Sequence, residues 1–279
     1  MNKEEVNELM TKARQGDGQA LEALLVEIQD FVYNLSLRML GTVPDCQDAT
    51  QDILIKVMTN LSSFRQESNY QTWVYRIAVN YLLDYRKSMF AKQPLSFDFY
   101  GNDIKYGYCD NNDELLMGQD RELLAKELKM SCTNVMLQCL DPETRCIFIV
   151  GTMFKIDSKI AGEIFDLTPE NYRKKLSRAR KKMAGFLKEY CGLSGGMCSC
   201  NKRVDYAISQ HRIDPHNLEY SKLKQLDHDI LENCKADMEY IDELSESFMS
   251  LPNYKTSVES KMLIEKLLNS KEIRKIKNY

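Results

Sequence analysis

Thr168-Pro169-Glu170-Asn171-Tyr172-Arg173-Lys174-Lys175-Leu176-Ser177-Arg178-Ala179-Arg180-Lys181-Lys182-Met183 is the stretch on which the reading of this chain turns. Tyr172, Leu176, Ala179 and Met183 recur at steps of four, three and four, the spacing of one buried helical stripe. Glu170, Arg173, Lys174, Ser177, Arg178 and Lys181 fall on the opposite face. Thr168 and Pro169 form a helix start, with Thr as cap and Pro at the first helical position. Upstream, Ile156 opens a shorter helix that ends in a turn near Asp166-Leu167-Thr168. From Asn171 to Tyr190 there are eight Lys or Arg against one Glu, a net of +7. A solvated charged face is the plain alternative. The turn, the stripe and the charge together favour a helix-turn-helix whose second helix enters a DNA major groove.

The rest of the chain is not a polycation. Its 279 residues carry 38 Lys or Arg against 41 Asp or Glu, so the basic helix is a local patch. Apolar runs are too short to span a membrane, and Met1 to Met10 has no apolar core of a signal peptide. A cytoplasmic protein is expected, and its nine cysteines are then read as reduced thiols. The three histidines all lie in the last quarter, thin material for acid–base or metal catalysis earlier in the chain. No phosphate loop, His-Glu-x-x-His or Gly-x-Ser-x-Gly motif is found, so no enzyme is expected.

Apolar spacing is helical almost throughout, which makes the fold class all-α. Leu21, Leu24, Leu25, Ile28, Phe31, Val32 and Leu35 share one face, and Gly41 and Pro44 end that helix. Ile53, Val57, Leu61 and Phe64 stripe the next one. Ser68-Asn69-Tyr70-Gln71 fits a capping box opening a helix to about Lys87. Trp73, Ile77 and Tyr81 are spaced as its core face. From Ser88 to Met117 periodicity fails over roughly thirty residues and acids accumulate, as in an interdomain linker. Helical spacing returns with the Asp141-Pro142-Glu143 start. The divisions are therefore 1–90, an acidic linker 91–117, 118–189 with the helix-turn-helix, and a C-terminal extension 190–279.

Leu176-Ser177-Arg178-Ala179-Arg180-Lys181-Lys182, preceded by Leu140-Asp141-Pro142-Glu143-Thr144-Arg145, resembles the fourth region of bacterial RNA polymerase sigma factors. Asp48-Ala49-Thr50-Gln51-Asp52, Phe64-Arg65 and Thr72-Trp73-Val74-Tyr75-Arg76-Ile77-Ala78-Val79-Asn80 resemble the second region of the small extracytoplasmic-function (group IV) type. The two matches stand in the family's order and span about 190 residues with no third region between them. Two positions depart from the pattern. Asp166 stands where Gly is frequent in the turn, a place Asp tolerates. Tyr172 replaces a small β-branched residue and is expected to rotate the recognition helix slightly.

The resemblance implies a factor that brings core polymerase to promoters and helps melt the DNA. Its partners would be promoter DNA and the core enzyme, through the β′ clamp and β flap. Asp48, Gln51 and Asp52 share a polar face that the family sets on the clamp, although acids near a helix N-terminus also complement its dipole. Minus-ten contacts would come from Arg65, Ser68, Asn69, Tyr70, Gln71, Arg76, Asn80, Arg86 and Lys87. Aromatics interleaved with cations there suit single-stranded DNA, where a stacked base is worth roughly 1–3 kcal/mol. Minus-thirty-five contacts would come from Thr168, Glu170, Asn171, Arg173, Lys174, Ser177, Arg178, Lys181 and Lys182. In this family the acidic linker would pass between the catalytic cleft and the RNA exit, mimicking nucleic acid.

Beyond the sigma pattern, Cys191-Gly192-Leu193, Cys198-x-Cys200, Arg203 and Asp214-Pro215-His216-Asn217-Leu218 resemble an extension found on some sigma proteins. No cofactor is required by the family. Cys191, Cys198, Cys200 and His211 would nevertheless supply four ligands for zinc or another soft metal, with Cys-x-Cys departing from finger spacing. Unliganded thiols in a Gly-rich turn are the alternative. Leu223, Leu226, Ile230, Cys234, Met238, Ile241, Leu244 and Phe248 form a stripe that needs a covering surface. That cover is either this chain, making the extension an internal brake, a constitutively packed third domain or a positive element that helps hold the active complex together, or another protein such as an anti-sigma factor. Two other functions remain open: a helix-turn-helix regulator independent of polymerase, and a metal- or thiol-responsive interaction protein.

Overall fold

The computed structural model describes residues 1–65, 68–85, 89–92, 95–226, 248 and 251–256. The first four helices each start on a side-chain cap. Asn2 and Glu5 exchange bonds in a capping box to open α1 (Lys3–Arg14). Asp17 accepts from the amides of Gln19 and Ala20 at the start of α2 (Gly18–Leu40). The Thr42 hydroxyl caps α3 (Val43–Thr59), with Pro44 in its first turn. Between α2 and α3 the chain turns at Gly41, φ 82°, where a Cβ would come within 2.9 Å of the Phe90 ring. The start of α4 (Tyr70–Asp84) differs from the capping box expected at Ser68. Asn69 is the cap, accepting from the Gln71 amide, and the helix ends three residues short of Lys87. The buried face of α4 is Tyr70, Val74, Ala78 and Leu82, leaving Trp73, Ile77 and Tyr81 half-buried at its margin.

The aperiodic acidic segment is not an extended linker. After the short α5 (Met89–Lys92), Ser96 caps α6 (Phe97–Tyr106), which buries Tyr100, Gly101 and Ile104. Phe97, Tyr100 and Ile104 are a stripe too short to stand out among acids. The nearness of Gly101 to the Tyr190 ring, 2.6 Å for a Cβ, lets α6 lie against the next unit. There follow α7 (Arg121–Gln138), α8 (Pro142–Phe148), α9 (Ser158–Phe165) and α10 (Pro169–Tyr190). A π turn, Ile149–Met153, follows α8. Last comes α11 (Cys200–Ser209). Among the described residues there is no strand, only an isolated antiparallel bridge between Gln225 and Tyr254.

One apolar cluster takes residues from α1 to α4, from α7 to α10, and Phe248 and Leu251 from the extension. Segments 1–90, 118–189 and 190–279 therefore share a core. Two buried guanidiniums tie them. Arg145 donates to the carbonyls of Leu137, Gln138 and Leu140 around the end of α7, and to Met39 near the end of α2 (2.7 Å). Cations are favoured at helix C-termini, where carbonyls lack helical partners. Burial pulls the Arg145 pKa down to about 10, which leaves it charged at neutral pH. Arg38 donates to Asn134 Oδ1 (3.0 Å) and to the Pro252 carbonyl (2.6 Å).

The extension is stitched on by polar groups. Asn34 exchanges two bonds with the Tyr254 backbone, at 2.7 and 2.8 Å. The Glu127 carboxylate collects the amides of Glu219, Tyr220 and Ser221. Asp103 on α6 pairs with Arg203 (2.9 Å) and Arg212 and accepts from Tyr206. Burial opposes ionisation of Asp103, but these three donors hold its pKa below the ordinary carboxylate value. One acid of the expected nucleic-acid mimic is thus neutralised within the chain. Leu223 and Phe248, the ends of the C-terminal stripe, are covered by this chain; Ile230, Cys234, Met238, Ile241 and Leu244 lie outside the described residues.

Arg145→Met should lower unfolding stability by about 3 kcal/mol, since it strands buried carbonyls. Urea unfolding checks this: the midpoint falls at unchanged slope, and an unchanged midpoint would remove Arg145 from this role.

Candidate nucleic-acid interface

The helix-turn-helix is α9, a three-residue turn and α10. Asp166 ends α9 in the left-handed conformation, φ 53° and ψ 42°, so the departure from Gly is accommodated. Gly162 is needed here because a Cβ would lie 2.6 Å from the Leu167 carbonyl oxygen. Thr168 caps α10 by accepting from the Asn171 amide. Tyr172 is buried and donates to the Ile147 carbonyl. Room for it comes from Gly151 in the π turn, where a Cβ would stand 2.6 Å from the Tyr172 hydroxyl.

With Tyr172, Leu176, Ala179 and Met183 buried, the other face is left to water. Thr168, Glu170, Asn171, Arg173, Lys174, Ser177, Arg178, Lys181 and Lys182 are all exposed. Glu170, Arg173, Lys174, Ser177, Arg178 and Lys181 line one shallow depression. Some have local partners. Arg173 donates to Ser158 Oγ at the start of α9 (2.9 Å), and Lys174 pairs with Glu170 (2.7 Å). Lys182 lies over the Phe97 ring of α6 at 5.0 Å. Arg178 and Lys181 have no ion pair among the described residues.

A second surface lies at the start of α4. Arg65, Ser68 and Arg76 meet around a cavity of about 290 Å³ with Ser63, Phe64, Thr72 and Trp73. Phe64 and Trp73 pack with ring centres 5.3 Å apart. Asn80 is exposed one turn beyond Arg76, on the same face. Asn69 is occupied as the cap of α4 and Gln71 stands outside the cavity. Tyr70 does not belong to this surface. It is buried and donates to the Leu24 carbonyl (3.1 Å), because its ring falls on the core stripe of α4. Arg86 and Lys87 lie outside the described residues.

The sequence did not signal one wall of this cavity, Glu163 of α9. Arg76 Nη2 donates to the Glu163 carbonyl and to Asp166 Oδ1, both at 2.6 Å. The cation of the α4 surface is therefore held by the helix-turn-helix. On α3, Asp48 is exposed while Gln51 and Asp52 are half-buried. Asp52 accepts from the Tyr81 hydroxyl. Desolvation first, then this carboxylate, pushes the Tyr81 pKa well up, so the hydroxyl stays a donor.

The expected metal set is not assembled. Among the described residues no three His, Cys, Asp or Glu side chains are arranged to hold a metal ion. His211 sits in a left-handed turn after α11 and lines a separate cavity. The Arg203 guanidinium is held in place by the Gly107 carbonyl and Asp103, and its charge acts on Cys198, where a fixed cation opposes a second one.

Comparison with known proteins identifies the family. Residues 24–89 match the family model Sigma-70 region 2. The ECF RNA polymerase sigma-E factor of Escherichia coli strain K12 is 37% identical over 175 residues, covering 62% of this chain and 89% of that protein. SigW of Bacillus subtilis, an ECF RNA polymerase sigma factor, is 22% identical over 184 residues, 66% of this chain and 97% of its own length. The chain belongs to the extracytoplasmic-function sigma factors. It directs RNA polymerase to promoters, with core enzyme and promoter DNA as the partners its family implies. Among the described residues no helix is long and apolar enough to cross a membrane.

Lys181→Ala should weaken upstream promoter binding equally on all sequences and reduce the slope of log affinity against log salt by about 0.9, the loss of one phosphate contact. Binding measured across a salt series decides it; a loss confined to one promoter sequence would instead make Lys181 a base reader.

Proposed function

We propose that three surfaces divide the work of initiation. Asp48, Gln51 and Asp52 dock on the β′ clamp of the core. The exposed row of α10 lies in the major groove of the minus-thirty-five element, and the β flap receives this same unit. Arg65, Ser68, Arg76 and Asn80 take the minus-ten strand. The observation that carries the reading is the cavity at the start of α4, which sets arginines, a serine and the edge of an indole beside a space for one flipped base. Extracting a base costs a few kcal/mol, a sum that stacking and polar contacts in such a pocket offset. No ATP is needed. The site of action is the cytoplasm, where polymerase and promoter are. Asp48→Arg tests the first surface, since Asp48 is exposed and its reversal disturbs no core contact. Core affinity should fall at least about fivefold with unfolding unchanged, because one repulsive pair at an interface replaces an attractive one.

A second reading concerns regulation and rests on Arg76. With its guanidinium on Glu163 and Asp166, and α9 walling the cavity, this arrangement is a closed form whose minus-ten surface is not free for DNA. The extension supports closure, since Tyr220 and Tyr254 bridge α2 and α7 through Asn34, Asn134 and Gly41. Promoter engagement then requires α4 and α9 to part, and the extension acts as a brake. Asp166→Gly keeps the left-handed turn and removes the carboxylate. The ion pair is exposed on both sides, worth at most about 1 kcal/mol, so affinity for a minus-ten single strand should rise by no more than about fivefold. Fluorescence anisotropy measures it, and unchanged or weaker binding by a normally folded variant counts against the closed form.

A further inference from the structure

Arg180 stands in the run of cations on α10 but not in its exposed row. It is half-buried, at the margin between that row and the core stripe. Its Nη2 donates to the Gly151 carbonyl and its Nε to the Thr152 hydroxyl, both at 3.0 Å. Both acceptors belong to the π turn after α8, and Thr152 is fully buried. A guanidinium held by a carbonyl and a buried hydroxyl is turned away from a DNA backbone.

The same turn meets two more side chains of α10. A Cβ on Gly151 would stand 2.5 Å from Leu176 Cδ2 and 2.6 Å from the Tyr172 hydroxyl. Tyr172, Leu176 and Arg180 are four residues apart, so they form one row along the helix. Three successive turns, about 12 Å at 1.5 Å per residue, therefore rest on one element. Apolar contact sets how closely the helix approaches but has no direction of its own. The Arg180 bonds do have direction, because a planar guanidinium presents its donors in a fixed fork. Arg173 lies seven residues earlier, on nearly the same edge, and donates to Ser158 at the start of α9 (2.9 Å). That edge is thus held at both ends. The angle matters, since side-chain ends lie roughly 6 Å from the axis and a roll of about 20° moves them by about 2 Å. A shift of that size exceeds the roughly 0.5 Å range of good hydrogen-bond distances.

We propose that Arg180 is a positioning residue that fixes the roll of α10 and, through it, the discrimination between minus-thirty-five sequences. This rests on the reading that the exposed row of α10 enters the major groove. Phosphate contacts made by long, flexible side chains follow a small roll and carry no sequence information, whereas bonds to base edges do not follow it. Loss of Arg180 therefore lowers sequence discrimination and leaves salt dependence alone, the reverse of losing a phosphate contact. Thr152 belongs to the same device, although it is buried on another element.

The test uses the full chain and short duplexes: the best-bound sequence selected from a randomised pool, its single-base variants, and an unrelated sequence. Fluorescence anisotropy across a salt series gives an affinity and a salt slope for each. Arg180→Met should lower the ratio of best to single-base-variant affinity at least about fivefold, with the salt slope and the affinity for the unrelated duplex unchanged. Arg180→Lys should not restore the ratio, since an ammonium keeps the charge without the fork. Thr152→Val leaves every cation of α10 in place. It should lower the ratio in the same direction, and it supplies the answer if Arg180→Met does not fold. A salt slope reduced by about 0.9 in Arg180→Met would make Arg180 a phosphate contact and overturn the proposal. Full recovery in Arg180→Lys, or undiminished discrimination by folded Arg180→Met or Thr152→Val, would overturn it as well. If Lys181→Ala changes neither slope nor affinity on any duplex, the placement of α10 in the groove fails first, and the role of Arg180 with it.

Discussion

Arg145 is the point on which the architecture turns. Its guanidinium closes the C-terminal ends of α2 and α7, helices that come from opposite sides of the acidic segment. Two helix ends converging in an apolar interior would leave carbonyls without partners, each worth about 1–3 kcal/mol if stranded. One planar five-donor group serves several at once, which a lysine could not do. Once these ends are fixed, α8 starts immediately beneath them, and the π turn, α9 and α10 follow in a settled direction. The placement of the helix-turn-helix on the α4 surface is thus a consequence of how two distant helices finish.

What could be read from the chain divides along the range of the forces involved. The α10 stripe was legible because a helix reports its buried face every three to four residues, and Tyr172, Leu176, Ala179 and Met183 are buried accordingly. The left-handed backbone at Asp166 was legible for the same local reason. By contrast, α6 was hidden because it is only ten residues long and eight of them are charged, aromatic or glycine. Tyr70 misled because an aromatic next to a cap serves core and surface equally well in sequence. Trp73, Ile77 and Tyr81 pack against the margin of the core rather than within it, a rotation of one residue that periodicity alone does not resolve.

Long-range pairings left no local mark at all. Nothing near Arg76 announces Asp166, ninety residues away. The metal set failed on the same ground, since spacing in sequence put His211 among the cysteines while the turn after α11 carries it to another cavity. Cys132, on α7, interacts electrostatically with those cysteines and has no motif to mark it.

The partnership of Gly151 with Tyr172 bears on modularity. Recognition helices are commonly treated as exchangeable cassettes, because the residues that touch DNA all lie on one of them. Here the seat of that helix is cut into a different element, by a glycine whose missing side chain leaves room for a phenol. Grafting α10 into a relative that carries a larger residue at the Gly151 position would drive the ring against it and tilt the helix out of register with the groove. The seat of α10 is therefore coupled to a buried position on a different element.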